Sequence, residues 1–146
     1  TGVGKTFLSH CIAKELIDSA HSVIYFSAAQ LFDFFAKNTF GKKEDSDEDA
    51  FEHIYNCDLL IIDDLGTELT NAFTTSQLFI CLNERILRKK STIISTNLSL
   101  EDIKAIYSER VFSRISSNFT MLRLTGDDIR IQKKLLNLGG TRNVTP

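Results

Sequence analysis

Residues 1–6 read TGVGKT, and this hexapeptide constrains the fold more than any other stretch of the chain. The pattern G-x-x-x-x-G-K-[ST] makes a phosphate-binding loop between a buried strand and a helix. Gly4, Lys5 and Thr6 supply its end, and Thr1, Gly2 and Val3 fill three of its four variable places. The motif's first glycine and one spacer would precede Thr1, so the expectation is a piece that begins inside its own nucleotide site. Glycines let backbone N–H groups turn inward around phosphate oxygens. Lys5 is expected to reach the β- and γ-phosphates, and the Thr6 hydroxyl to bind Mg²⁺. Phe7, Leu8, Cys11, Ile12, Leu16 and Ile17 recur at helical spacing from Thr6 to Ala20, so the loop should open a helix whose N-terminus lies under the phosphates. The bland alternative is an ordinary strand-to-helix turn.

Downstream, apolar runs alternate with helical patterns, the signature of a parallel α/β sheet. Strands are expected at Ser22–Ser27, Asp58–Ile62, Thr92–Thr96 and Phe119–Leu124. Capping boxes are expected at Ser27 with Gln30 and at Thr74 with Gln77, and Ser99 should cap a short helix. Phe51, Ile54 and Tyr55 suggest another short helix, and Ser108–Ile115 one more. The run GKKEDSDED, Gly41–Asp49, reads as a charged surface connector. With 146 residues, 42% apolar content and 11 phenylalanines there is material for one packed domain, expected over residues 1–138, with a loose tail over 139–146. A net charge of −2 gives no overall basic footprint, so a nucleic acid could only be met by a local patch. Arg85, Arg88, Lys89 and Lys90 form such a patch, although solvation of a helix C-terminus explains it equally well. Cys11, Cys57 and Cys81 lie in apolar runs without C-x-x-C spacing and read as buried free thiols. No signal peptide and no long apolar run is present, which gives the expectation of a cytoplasmic protein without a membrane partner.

Leu59–Asp64 reads LLIIDD, an apolar strand ending in two acids. Alone this reads as a strand end with two solvated carboxylates; beside a phosphate loop it reads as a Walker B strand. Asp63 would hold Mg²⁺ with Thr6, and Asp64 would orient or deprotonate the attacking water. Asn97 ends the next strand, where its amide can meet water or the γ-phosphate, or simply shape a turn. Arg110 and Arg114, spaced i, i+4, share one helix face, with Val111, Phe112 and Ile115 turned to the core. Two readings are open: an arginine finger supplied to a neighbour's γ-phosphate, with Arg114 the better placed, or a solvated face paired with Glu109. Arg130 could act on the phosphates of its own subunit or be a surface arginine.

With TGVGKT, LLIIDDLGTE, STNLS, SERVFSRI and GDDIR in this order, the chain resembles the AAA+ ATPases of the bacterial replicative-helicase loader type (DnaC and DnaI) and the closely similar IstB transposition helpers. The resemblance implies a three-layer α/β/α P-loop NTPase with a mainly parallel sheet, here lacking the strand that precedes the P-loop. That strand would lie between the Thr92–Thr96 and Phe119–Leu124 strands. The resemblance also implies sensor 1 at Asn97, the finger at Arg114, sensor 2 at Arg130, and ATP with Mg²⁺ as ligands. It further implies a homo-oligomer assembled with ATP, with single-stranded DNA and a replicative DNA helicase as partners. The alternatives are an IstB-type ATPase assisting transposition and a nucleotide-ordered scaffold without turnover. A small-molecule kinase is disfavoured by the absence of a lid arginine cluster.

Overall fold

The computed structural model describes residues 2–41, 47–129, 131, 133 and 134. Helix α1 spans Lys5–Asp18 and strand β1 Val23–Ser27, followed by α2 at Ala28–Phe40 and α3 at Asp47–Asn56. Then come β2 (Leu59–Leu65), α4 (Ala72–Leu87), β3 (Ser91–Thr96), α5 (Leu100–Tyr107) and α6 (Glu109–Asn118). The three strands pair in the order β1-β2-β3, all parallel, with Tyr25 beside Ile61 and Ile61 beside Ile93.

Alternation along β2 explains the layers. Leu60 and Ile62 point into a large core with α2, α3, α4, α5 and α6, while Leu59 and Ile61 point to the other face, against Ala13 and Leu16 of α1. A strand buried on both faces must be apolar throughout, and LLII is. The sheet therefore sits between α1 and five helices, which is the α/β/α layering expected.

Local signals fixed three of the described helix starts. Ser27 and Gln30 form the expected capping box, and Ser99 forms one with Asp102. The expected box at Thr74 and Gln77 is corrected: Asn71 is the cap, accepting from the Thr74 N–H at 2.9 Å, while Thr74 Oγ1 accepts from the Asn71 N–H at 2.8 Å. Asn is as good a cap as Thr, and placing it at 71 lets Thr74 close the box from the first turn.

The expected Phe119–Leu124 strand is also corrected. Residues 120–128 carry no helix or strand, and β3 pairs only with β2 among the described residues. A β-prone sequence without a neighbouring ladder has nothing to hydrogen-bond to. A cleft of about 290 Å³, lined by Leu8, Ile12, Ile93, Ile115, Phe119 and Leu122, separates the segment from β3. The same cleft explains why Leu8 and Ile12 of α1 stay exposed despite their helical spacing.

Cys57 and Cys81 are buried free thiols, but Cys11 is exposed, because the buried stripe of α1 runs through Ser9 and Ala13. Burial pushes the Cys81 thiol up to about 12, which leaves it unreactive.

The basic patch dissolves in the structure. Arg85 is fully buried and donates to the Ile54 and Ser91 carbonyls, to Thr92 Oγ1 at 2.9 Å and to Cys57 Sγ at 3.2 Å. Arg88 pairs with Glu52 at 2.7 Å and Glu84 at 3.2 Å, and Lys90 with Asp58 at 3.1 Å. Arg85 thus ties α3, α4 and β3 together from inside. Arg85→Met keeps the stem but takes the guanidinium donors away from the Ile54 and Ser91 carbonyls and from Thr92 Oγ1. We expect it to destabilise the protein by about 1.5–3 kcal/mol, the scale of hydrogen bonds made by a charged group. A urea melt of both proteins checks this; an unmoved midpoint would show that solvent satisfies those carbonyls.

Candidate nucleotide site

The phosphate loop bends back on itself before α1. Gly4 caps the helix at φ 93° and Gly2 lies at φ 74°, both in the left-handed region where side chains are strained. A Cβ on Gly2 would also strike the Asp128 carboxylate, 2.0 Å from its Cγ. The GDDI segment accordingly folds over the loop, and the Ile129 N–H donates to the Gly2 carbonyl at 3.1 Å. Gly4 brings no side chain to the first-turn amides of α1, so those N–H groups are available to an anion.

A cavity of about 610 Å³ opens above the loop, within the usual range for small-molecule sites. Gly2, Gly4, Lys5 and Thr6 form its floor, Asp64, Thr67 and Asn97 one wall, and Phe7, His10, Ile129 and Lys133 the rest. The Lys5 ammonium donates to Asn97 Oδ1 at 2.6 Å. The Thr6 hydroxyl donates to Asp63 Oδ2 at 2.9 Å. The sequence places these pairs 92 and 57 residues apart, and the parallel sheet brings them together because β2 and β3 both end over the start of α1.

Asp63 is buried among three hydroxyls. Ser95 and Tyr25 both donate hydrogen bonds to its carboxylate, beside the one from Thr6. Burial opposes the charged form, but the donors from Ser95, Tyr25, Thr6 and the Asp64 backbone outweigh it and hold the carboxyl below its usual range. Tyr25 responds oppositely: burial, then its bond to Asp63, then the charges of Asp63 and Asp64 raise its hydroxyl above the ordinary value. Neither partner was legible as a site residue. Ser95 sits on β3 and Tyr25 on β1, and only the register of three adjacent strands places both beside β2's acidic end. A hydroxyl and a carboxylate in contact, with oxygen donors around them, fit a hard divalent cation such as Mg²⁺.

Asp64 carries φ 55°, a strained conformation for a residue with a side chain. It ends the regular ladder, where the β2–β3 register shifts between Ile62 and Leu65, and itself lines the cavity. The Ser95 hydroxyl accepts from the Asp64 N–H at 2.9 Å, so one serine anchors both acids. Beyond them, the Glu68 carboxylate accepts from the Gly66 N–H at 2.9 Å and from the buried Tyr107 hydroxyl. The loop after the two aspartates is thereby tied to α5, and α5 turns into α6 at Ser108, which has φ 88°.

Arg110 and Arg114 lie on the exposed face of α6, while Val111 and Ile115 are buried beneath. Phe112, expected in the core, is half-buried, with the Lys104 ammonium 5.9 Å from its ring centroid. Glu109 pairs with Lys104 at 3.3 Å rather than with either arginine. The structure does not bring Arg110 or Arg114 into the cavity of its own subunit. Thr1, Arg130 and the 139–146 tail lie outside the described residues, as does most of the charged connector. No group of three or more His, Cys, Asp or Glu side chains placed to hold a metal ion is present among the described residues, and no described helix is long and apolar enough to cross a membrane.

Comparison with known proteins places this geometry. The family described as IstB-like ATP binding protein matches residues 1–137. The replicative helicase loader DnaC of Escherichia coli K12 is 28% identical over 114 residues, which is 78% of this chain and 46% of that protein. The chromosomal replication initiator DnaA of Zymomonas mobilis is 31% identical over 120 residues, 80% of this chain and 24% of that one. The chain therefore spans about half, or less, of the curated relatives it matches. Among solved structures, the crystal structure of the DnaC helicase loader aligns with a TM-score of 0.72 at 26% identity, covering 85% of this chain and 73% of that one. The replication initiator DnaA bound to AMPPCP and single-stranded DNA aligns at 0.74 with 23% identity, covering 95% and 43%, and shares the fold. The fold is that of the AAA+ P-loop ATPases, as expected.

Proposed function

The chain belongs to the family of IstB-like ATP-binding proteins, and from that premise we propose that it is the ATP-binding and ATP-hydrolysing part of a protein that loads a replicative DNA helicase onto DNA. The observation that carries the nucleotide half of this reading is the meeting of two pairs at one cavity: Lys5 with Asn97, which both line it, and Thr6, on its floor, with the buried Asp63 behind it. A family named for ATP binding and a solved DnaA holding AMPPCP support it further.

In this reading Gly2, Val3, Gly4 and the first-turn amides of α1 cradle the phosphates of ATP, with Thr1 at the loop's entry. Lys5 neutralises the β- and γ-phosphates. Thr6 and Asp63 hold Mg²⁺, which when bound draws charge off the phosphates. Because Lys5 occupies the amide oxygen of Asn97, the Asn97 NH₂ is left as a donor toward the γ-phosphate or the attacking water. Asp64 aligns that water and takes its proton. Arg114 reaches the γ-phosphate of a neighbouring subunit, so that turnover needs a homo-oligomer, and Arg130 contacts the phosphates in its own subunit. The DnaC relatives and their solved structure support helicase loading, and the DnaA structure with single-stranded DNA supports a DNA partner. A cytoplasmic location goes with those partners. The second reading is an ATPase that assists transposition, favoured by the description of the matched family.

The experiment is co-elution of the full-length protein with the replicative helicase of its own cell, and separately with a transposase encoded beside it. Loading predicts an ATP-dependent complex with the helicase that tightens on single-stranded DNA. A complex with the transposase alone would move the protein to the second reading.

A further inference from the structure

We propose that Phe79, on α4, is the positioning residue that aims the arginine pair of α6. The inference rests on the finger reading of Arg114 and identifies the part of the fold that holds it in place. The Arg110 guanidinium carbon lies 4.3 Å from the Phe79 ring centroid, and that of Arg114 lies 5.7 Å from it. Both are inside the ~6 Å range over which an aromatic face attracts a guanidinium. The arginines are one helical turn apart, so a single ring spans the pair.

What the ring does follows from what the arginines lack. Neither forms an ion pair among the described residues, and Glu109, the acid next to them, is taken by Lys104. A salt bridge would occupy N–H donors and cancel charge. Stacking does neither: it fixes the plane of the guanidinium and leaves the donors at its rim free. The closer contact locks Arg110, and the looser one leaves Arg114 its reach. Both helices are themselves rigidly seated, α4 through Leu78 and Leu82 and α6 through Val111 and Ile115, all buried in one core. Beside Arg110 a groove of about 430 Å³ is lined by Thr75, Ser76, Phe79, Ile106 and Ser108, without a carboxylate. Hydroxyls and an uncancelled guanidinium suit an approaching phosphate. The groove therefore takes the nucleotide edge of a second copy of this chain, with Phe79 keeping the arginines from folding back.

The test uses the full-length protein under conditions where it assembles, with Phe79→Leu, Phe79→Met and Phe79→Tyr. Loss of the ring without loss of bulk should lower kcat by about 5-fold, the weight of an exposed cation–π contact, with KM for ATP unchanged. Phe79→Tyr should restore the rate. Mixing separates aim from general damage. Asp63→Ala subunits carry an intact finger, so they should rescue Phe79→Leu subunits, whereas Arg114→Ala subunits should not. If Arg114→Ala is impaired while Phe79→Leu and Phe79→Met turn over normally, the platform is wrong and the finger survives. If Arg114→Ala itself turns over normally, finger and platform both fall. If Phe79→Leu loses single-stranded DNA binding but not kcat, the arginines serve nucleic acid and the proposal is overturned.

Discussion

Replacing Asp64 by Asn is expected to abolish most ATP turnover while leaving nucleotide binding intact. The loss should lie in the range of about 10²–10⁴-fold, which is what a positioned general base contributes. The substitution is well suited to the site. Asp64 sits at φ 55°, and Asn tolerates left-handed backbone as readily as Asp. The strained turn, the Ser95 anchor on the Asp64 N–H and the shape of the cavity wall are all retained. Only the ability to take a proton goes. Phosphate release and equilibrium nucleotide binding, measured on both proteins, decide the matter. Undiminished turnover would assign Asp64 to turn formation and pass its proposed chemistry to another group.

Arg114→Ala should behave differently, because its defect is expected only between subunits. Binding of ATP by the monomer should be nearly unchanged, since Arg114 lies outside its own subunit's cavity. Turnover should fall at concentrations where subunits associate, by up to ~10³-fold as in strong finger systems. The helix should survive the change: α6 is held by Val111 and Ile115, and Arg114 is exposed. Arg110→Ala is the companion, and the closer stacking of Arg110 on Phe79 predicts a smaller loss for it. Mixing Arg114→Ala with Asp63→Ala should restore part of the activity, because one protein supplies the finger and the other a working site. A silent mixture of two proteins that still assemble would remove the trans mechanism.

Much of this protein was legible in its sequence, and the reasons are local. The phosphate loop needs glycine at positions of positive φ followed by Lys and Thr, and TGVGKT supplies them in order. The run LLII followed by two acids declares a strand buried on both faces that ends at a site, and β2 is that strand. Asn97 and the Arg110/Arg114 pair stand out as candidates by their place in strand and helix patterns, and the structure sets Asn97 on the cavity wall and the arginines on the exposed face of α6. Such features depend on neighbours within a few residues, where backbone geometry and side-chain period are fixed by chemistry alone.

What the sequence could not decide was everything that depends on which elements become neighbours. Arg85 reads as a surface cation and is fully buried, because α4 turns that face toward α3 and β3. Tyr25 and Ser95 read as strand residues and hold Asp63, because a parallel register places three strand ends side by side. Phe79 reads as one more apolar helix position and carries two arginines, because α6 crosses α4 at that turn. The 119–124 segment reads as a strand and pairs with no strand among the described residues, since a strand is a property of a pair and not of a run. Period and propensity determine what each segment can be. Hydrogen-bonding partners and packing across the sheet, set by the whole chain at once, determine which side chains meet.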